Sequence, residues 1–367
     1  MNAAMKVVTF EASPNIAVVK YWGKRNEKLI LPTNSSISMT LDSLRTRTSV
    51  LFDAKLEKDE LWLNGKQVDL ENNAEAKERF KQLDVIRSKA GVKHRAHIVS
   101  INCFPTAAGF ASSASGLAAL ACAASKAAGL TLTTKELSIL ARLGSGSATR
   151  SVMGGFVEWT QGKKADGSDS IAVQIAPAEH WPEMRLVSVV LDETKKKVSS
   201  RAGMKQTIAT SALYKARMEY LPPIIKKMEE AIRNRNFERF AELTMQDSDN
   251  MHAVMLDTKP PIVYMNDKSH EIADAVIALN ESNGNEKTIA AYTFDAGPNA
   301  HIYTTEENLP KVNDMLKNIN GIKRTVVSSP GNGPIEITAP AEHLIDPITG
   351  KVRQHSFDEK TNTIIIA

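Results

Sequence analysis

The sequence predicts an α+β protein of two domains with antiparallel sheets, and three observations predict it. At 367 residues and 42% hydrophobic, the chain is long enough for two cores of ordinary size. Its apolar spacing switches repeatedly between period two and period 3.6, without the regular strand–helix alternation of a doubly wound parallel sheet. A connector at 176–182 is followed by a restart of the strand–helix cycle, which places a boundary near 180–190 and divides the chain into 1–185 and 186–367.

Taken in order, short strands are expected at 5–10, 48–52, 60–63 and 97–102, with Asn64-Gly65 as a tight hairpin turn into a strand at 67–70. Helices are expected at 74–90 and 117–128, and at 134–143 behind a threonine cap and ahead of Gly144. After Gly154-Gly155, strands at 156–160 and 171–175 flank a polar turn and read as a hairpin. In the second half the order is strand 186–191, helices 211–234, 237–251 and 269–283, strand 288–294, helix 309–318 and strand 323–328.

A formal net charge of +4 is small for this length. It suits an acidic small-molecule substrate and, without clustering or aromatic interleaving, argues against nucleic acid. Two cysteines, Cys103 and Cys122, have neither the number nor the spacing of a disulfide framework or a structural zinc site. No basic-then-apolar leader precedes Pro14, and the longest apolar run, 117–124, is too short to span a bilayer. The expectation is a cytoplasmic protein with no membrane partner.

Four stretches carry candidate chemistry. The run 105–116, Pro-Thr-Ala-Ala-Gly-Phe-Ala-Ser-Ser-Ala-Ser-Gly, is almost wholly small or hydroxylated and precedes an alanine-rich helix. It suits backbone closing around an anion at a helix N-terminus, although a small-residue packing turn would look the same. It is not a Walker loop, since no lysine lies within it. Lys20 and Lys24 flank Tyr21-Trp22, four residues apart, which puts them on one helical face or at the mouth of one pocket. Gly144-Ser145-Gly146-Ser147 with Arg150 combines close backbone approach, hydroxyl donors and a guanidinium that grips oxyanions bidentately. Asp295 ends an alternating run just before Gly297-Pro298, a strand-end position that suits a catalytic carboxylate or a turn former. The basic segment 195–201 offers a weaker phosphate contact or simply a solvated loop.

Together, Asn15-Ile16-Ala17 with Lys20-Tyr21-Trp22-Gly23-Lys24, Phe104-Pro105-Thr106-Ala107-Ala108-Gly109, Gly144-Ser145-Gly146-Ser147, Phe156-Val157-Glu158-Trp159 and the run from Tyr292 to Ala300 closely resemble the mevalonate diphosphate decarboxylases of the GHMP kinase superfamily, in their eukaryotic form. The likeness continues through His180-Trp181-Pro182, Leu243-Thr244-Met245-Gln246-Asp247-Ser248, His252, Leu256-Asp257-Thr258 and the 331–334 turn, so it covers nearly the whole chain.

The resemblance implies a GHMP kinase fold: an N-terminal domain containing a left-handed βαβ crossover, a ferredoxin-like C-terminal domain, and an active site in the cleft between them. It implies ATP-dependent decarboxylation of (R)-5-diphosphomevalonate to isopentenyl diphosphate, with ATP and Mg2+, by a homodimer in isoprenoid and sterol biosynthesis. By resemblance Asp295, Lys20 and Arg150 are catalytic, and Tyr21, Lys24, Ser145, Ser147 and Arg150 hold the substrate. The nucleotide falls to Pro105, Ala107, Gly109, Ser112, Ser113, Ser115, Gly116, Ser199 and Ser200, with Ser113 beside a Mg2+ carried mainly on the ATP phosphates. Thr149 stands where the family pattern has cysteine, Ser115 where alanine is frequent, and Cys103 where asparagine is common. None removes a charge. A kinase relative that stops at phosphorylation and a catalytically silent ligand sensor remain alternatives on the same fold.

Overall fold

The computed structural model describes residues 6–104, 112–191, 197–284 and 287–366. Pro105, Ala107 and Gly109, and Lys195 and Lys196 of the basic segment, lie outside the described residues.

A six-stranded sheet forms in the order Ile335–Ile337, Val8–Ala12, Thr46–Asp53, Arg95–Asn102, Glu60–Leu63, Lys66–Val68. Its pairs are antiparallel except Glu60–Leu63 with Arg95–Asn102, which run parallel. The link between that parallel pair carries Lys66–Val68 and two helices, Ala74–Arg79 and Gln82–Ala90. The expected Asn64-Gly65 turn is present, with φ of +48° and +76°, both left-handed as a two-residue type I′ loop requires. Helix Ser112–Ala127 lies on this sheet through Leu117, Ala118 and Ala121, the alanines letting helix and strands approach closely.

A second sheet has the order Ala172–Ala176, Phe156–Trp159, Ser36–Thr40, Asn15–Val19, all antiparallel. The third, in the second half, runs Ala290–Phe294, Ala300–Thr305, Met184–Val190, Arg324–Ser328. Numbered along the chain this is 2-3-1-4, antiparallel throughout. Helices Ser200–Thr210, Leu213–Arg233, Phe237–Leu256 and Asp267–Glu281 separate its first two strands, and Leu309–Lys317 its last two. That is the ferredoxin-like βαββαβ arrangement.

The largest core crosses between the halves. Ile16, Val18 and Val19 pack with Leu221, Phe240 and Tyr303, so Asn15–Val19 is buried under helices of the second half. The chain order 1–185 then 186–367 is crossed a second time at its end. Ile335–Ile337 pairs with Val8–Ala12, and Leu344 and Ile345 fill a small core with Leu51, Val99 and Ile101.

Some elements differ from expectation. The helix expected from residue 117 starts at Ser112, because serine and alanine enter a first helical turn at little cost, so Ser113, Ser115 and Gly116 are helical and not loop. The expected helix 74–90 is two, broken at Phe80 and Lys81. Lys20 follows a strand and Lys24 begins the short strand Lys24–Asn26, so the two lysines line one pocket and share no helical face. Strands Asn15–Val19, Ser36–Thr40 and Ala300–Thr305 and helix Ser200–Thr210 were not expected.

Candidate active site

The strand Asn15–Val19 ends as the chain turns away, and Lys20 follows with its side chain only 2% exposed. From the other half, Ala290–Phe294 ends at Asp295, whose side chain is 38% exposed. Lys20 Nζ donates to Asp295 Oδ1 at 2.7 Å, so two edge strands of different sheets meet through one ion pair. The pair borders a cavity of about 230 Å³ whose walls come from both halves. One ammonium sealed at its floor is a fixed charge in low dielectric, where it acts more strongly than in water.

Arg150 sits opposite. Helix Thr134–Gly144, opened by a Thr133–Glu136 capping box, gives way to the 3-10 turn Gly146–Val152. Three residues per turn place Ser147 and Arg150 on one side of it. Arg150 is buried: its Nε donates to Asn15 Oδ1 (3.0 Å) and Ser38 Oγ (2.8 Å), and Nη1 donates to Ser36 Oγ. Among the described residues no group accepts from its Nη2. Burial lowers its pKa to about 10, which still leaves it charged near neutrality. Asn15 is fixed in turn, its Nδ2 donating to Ser147 O and Ser151 Oγ. Ser36 and Ser38 carry no flag as lone residues, but the alternation Ser-Ile-Ser-Met-Thr over 36–40 is a period-two signal that puts hydroxyls on one face.

Tyr21 packs edge-on against Trp159 at 4.7 Å, and its hydroxyl is buried without a partner among the described residues. Gly146 makes room for that ring pair, since a Cβ there would lie 2.7 Å from Tyr21 Cε1. Lys24 is ion-paired to Glu27 at the cavity mouth. Ser145 and Ser147 share a hydrogen bond of 3.1 Å. Ser199 caps the N-terminus of Ser200–Thr210 and lines the cavity together with Ser200 and Ser113.

Two nucleotide-side residues face elsewhere. Ser115 is fully buried and its Oγ pairs with Thr46 Oγ1 at 2.6 Å, so its side chain secures the helix to the sheet and lines neither cavity. Gly116 borders a second, largely apolar cavity of about 350 Å³, walled by Leu61, Leu63, Phe80, Ile98 and Leu120, which shares Ser113 and Arg79 with the first. Among the described residues no three acidic, imidazole or thiol groups cluster closely enough to hold a metal. The cavity's Asp295 is already paired to Lys20, so the donor set fits a Mg2+ carried on phosphate oxygens with Ser113 as the protein contact, and not an all-protein cage.

Thr149, where the resemblance expects cysteine, buries its Oγ1 with no partner among the described residues. Replacing an orphaned hydroxyl by a methyl of equal shape removes a desolvation penalty of about 1–3 kcal/mol. Thr149→Val is therefore expected to raise the urea midpoint, with unfolding free energy up by about 1 kcal/mol; a lower midpoint would contradict this.

Behind the ion pair lie two histidines with no charged role. Burial pushes His252 and His301 down to about 4 from 6.5, the Lys20 ammonium acting in the same direction and Asp295 against it. Both are protonated in the unfolded chain at a pH where they are neutral in the fold, so the unfolded state binds more protons between about 6.5 and 4. Stability is then expected to fall as pH drops through that window, by up to about 1.4 kcal/mol per pH unit for each histidine. Urea titrations at pH 7.0, 6.0 and 5.5 measure it, and a flat profile would show that neither imidazole is held neutral.

Sequence reasoning gave no role to the support beneath Lys20. Asp247 and Arg217, both fully buried, form an ion pair of 2.9 Å, and Asp247 Oδ2 accepts the Lys20 backbone N–H at 2.6 Å. Removing one partner of such a pair costs about 3–5 kcal/mol, because it strands a buried charge. Thirty residues separate the two in sequence, which leaves no local signal.

Both halves of the chain match domain models of known proteins. Residues 12–172 match the diphosphomevalonate decarboxylase-like N-terminal domain model, and 186–360 the mevalonate 5-diphosphate decarboxylase C-terminal domain model. The diphosphomevalonate decarboxylase of Schizosaccharomyces pombe is 48% identical over 362 residues, 94% of this chain and 90% of that one. Among solved structures, mevalonate diphosphate decarboxylase from Trypanosoma brucei superposes with a TM-score of 0.85 at 38% identity, covering 93% of this chain and 100% of that one. A structure described as MDDEF in complex with MVAPP, AMPPCP and magnesium gives 0.82 at 36%, covering 92% of this chain and 100% of that one. With both halves matched in order, on a GHMP kinase fold, the chain belongs to the diphosphomevalonate decarboxylase family.

Proposed function

We propose that the protein performs the ATP-dependent decarboxylation of (R)-5-diphosphomevalonate to isopentenyl diphosphate, carbon dioxide, ADP and phosphate. The observation that carries this reading is the Lys20–Asp295 pair at 2.7 Å, across a cavity from the immobilised Arg150. Asp295 orients the substrate 3-hydroxyl and takes its proton as the oxygen–phosphorus bond forms, help worth about 10²- to 10⁴-fold. Lys20 neutralises charge on the transferring phosphoryl group, which passes through a loose transition state that needs positioning more than strong base. The hydroxyl has then become a good leaving group. The C3–oxygen bond breaks and phosphate departs. Electrons of the C1–C2 bond form the C2–C3 double bond, and carbon dioxide is released. Arg150 holds the carboxylate so that the breaking bond is aligned with the departing phosphate.

Tyr21, Lys24, Ser145 and Ser147 hold the substrate's carboxylate and diphosphate, Lys24 exchanging Glu27 for the ligand. Ser113, in the first turn of helix Ser112–Ala127, faces the nucleotide phosphates, and Ser199 and Ser200 face them from the other side. The adjoining apolar cavity suits the adenine base, being contiguous with the phosphate site through Ser113 and Arg79. Mg2+ supplies charge neutralisation of the transferring phosphate when bound. Following the family, we assign the protein to the cytoplasm as a homodimer with domains 1–185 and 186–367.

The test is incubation with nucleotide, Mg2+ and mevalonate labelled on carbon 1, offered as the 5-monophosphate and the 5-diphosphate, with labelled carbon dioxide counted beside ADP. Equal amounts of both products, from the diphosphate alone, are expected. ADP without carbon dioxide would make the protein a kinase, and neither product would make it a ligand sensor.

A further inference from the structure

Lys20 and Asp295 share an unusual placement. Each follows the last residue of an edge strand, Asn15–Val19 in one sheet and Ala290–Phe294 in another, where backbone N–H groups lose their ladder partners. One helix, Phe237–Leu256, packs against both edges. Two consecutive side chains of that helix take up the two loose ends. Asp247 Oδ2 accepts the N–H of Lys20 at 2.6 Å, and Ser248 Oγ accepts the N–H of Phe294, the residue before Asp295, at 3.0 Å. Asp247, Ser248 and Lys20 are all buried.

The clamp is itself held. Arg217 Nη1 donates to Asp247 Oδ1 at 2.9 Å, and its Nη2 reaches the Lys20 carbonyl at 3.4 Å. Asn34 Nδ2 donates to the same carbonyl at 3.0 Å. The backbone N–H and C=O of Lys20 are thus both bonded by buried side chains. A four-carbon lysine stem ordinarily lets its ammonium wander, and a fixed peptide anchor limits that.

We propose that Asp247-Ser248 is a positioning device that sets the relative placement of Lys20 and Asp295, so that helix Phe237–Leu256 couples the two halves of the protein at the reacting atoms. The proposal rests on those two residues carrying the chemistry. It also gives a role to the 243–248 motif, which makes no contact with either cavity.

Ser248→Ala tests it, with Tyr292→Phe as comparison. Tyr292 lies on the same strand and donates to Asp249 Oδ2 at 2.9 Å, so its loss loosens the same strand without freeing the N–H next to Asp295. A misplacement of under an ångström costs on the order of 10- to 100-fold in rate. Ser248→Ala is expected to lower kcat by that factor with KM for diphosphomevalonate within about twofold, while Tyr292→Phe lowers Tm and leaves kcat unchanged. Equal losses of Tm in both variants with wild-type kcat in both would overturn the proposal.

Asp247→Asn leaves the buried Arg217 charge without a carboxylate and risks the fold, so its partner experiment is Asp247→Leu with Arg217→Met, an apolar exchange of similar volume. That double variant is expected to fold and to be slow; a folded double variant at wild-type kcat overturns the proposal. Asp295→Asn in the same assay separates the two levels. Full activity in Asp295→Asn would remove the underlying catalytic reading, whereas a slow Asp295→Asn beside a fast Ser248→Ala would remove only the clamp.

Discussion

Asp295→Asn is expected to lower kcat by about 10³-fold while diphosphomevalonate still binds, the middle of the range for lost general-base help. The amide keeps the shape of the carboxylate and still offers an oxygen to Lys20 Nζ, but it cannot take the 3-hydroxyl proton as the phosphorus bond forms. It also removes the only carboxylate among the described residues lining the cavity, so Lys20, 2% exposed, is left with a neutral partner. Because Asp295 is 38% exposed, solvent screens that loss and the fold is expected to survive. Single-turnover ADP formation beside calorimetric substrate binding separates chemistry from affinity. A rate above about a tenth of wild type would remove Asp295 from the role of proton acceptor.

Arg150→Lys ranks second, with an expected loss of about 100-fold in kcat/KM. Charge is conserved, but a lysine cannot donate at once to Asn15, Ser36 and Ser38 and still present a planar fork to a carboxylate. The buried hydroxyls of Ser36 and Ser38 would lose a donor, so a smaller loss of stability should accompany the loss of rate. If the guanidinium only contributes positive charge, Arg150→Lys will instead run within a few-fold of wild type.

The three residues proposed as catalytic, which the fold brings to one cavity, each stand at a local break in pattern: Asp295 before Gly297-Pro298, Arg150 inside a glycine–serine turn, Lys20 beside an aromatic pair. What the sequence hid is the scaffolding that fixes them. Arg217 and Asp247 meet only because two helices pack, and an arginine on a helix otherwise suggests a solvated face. Helix Ser200–Thr210 was missed because its glycine, serine and β-branched residues give weak helical propensity. Ile335–Ile337 pairs with a strand more than three hundred residues earlier, a contact that no local window contains. Ser115 shows the reverse error. It sits in a run read as one anion-binding surface, but the helix begins early enough to turn that hydroxyl inward to Thr46.

The central claim is that the 3-hydroxyl oxygen of the substrate leaves as phosphate. Diphosphomevalonate carrying oxygen-18 at that hydroxyl, turned over once in unlabelled water, tests it directly by mass spectrometry of the inorganic phosphate. The account predicts one heavy oxygen in each phosphate released, matched by one carbon dioxide. Phosphate without the label, alongside carbon dioxide, would contradict it, because the decarboxylation would then proceed without phosphorylation at that oxygen.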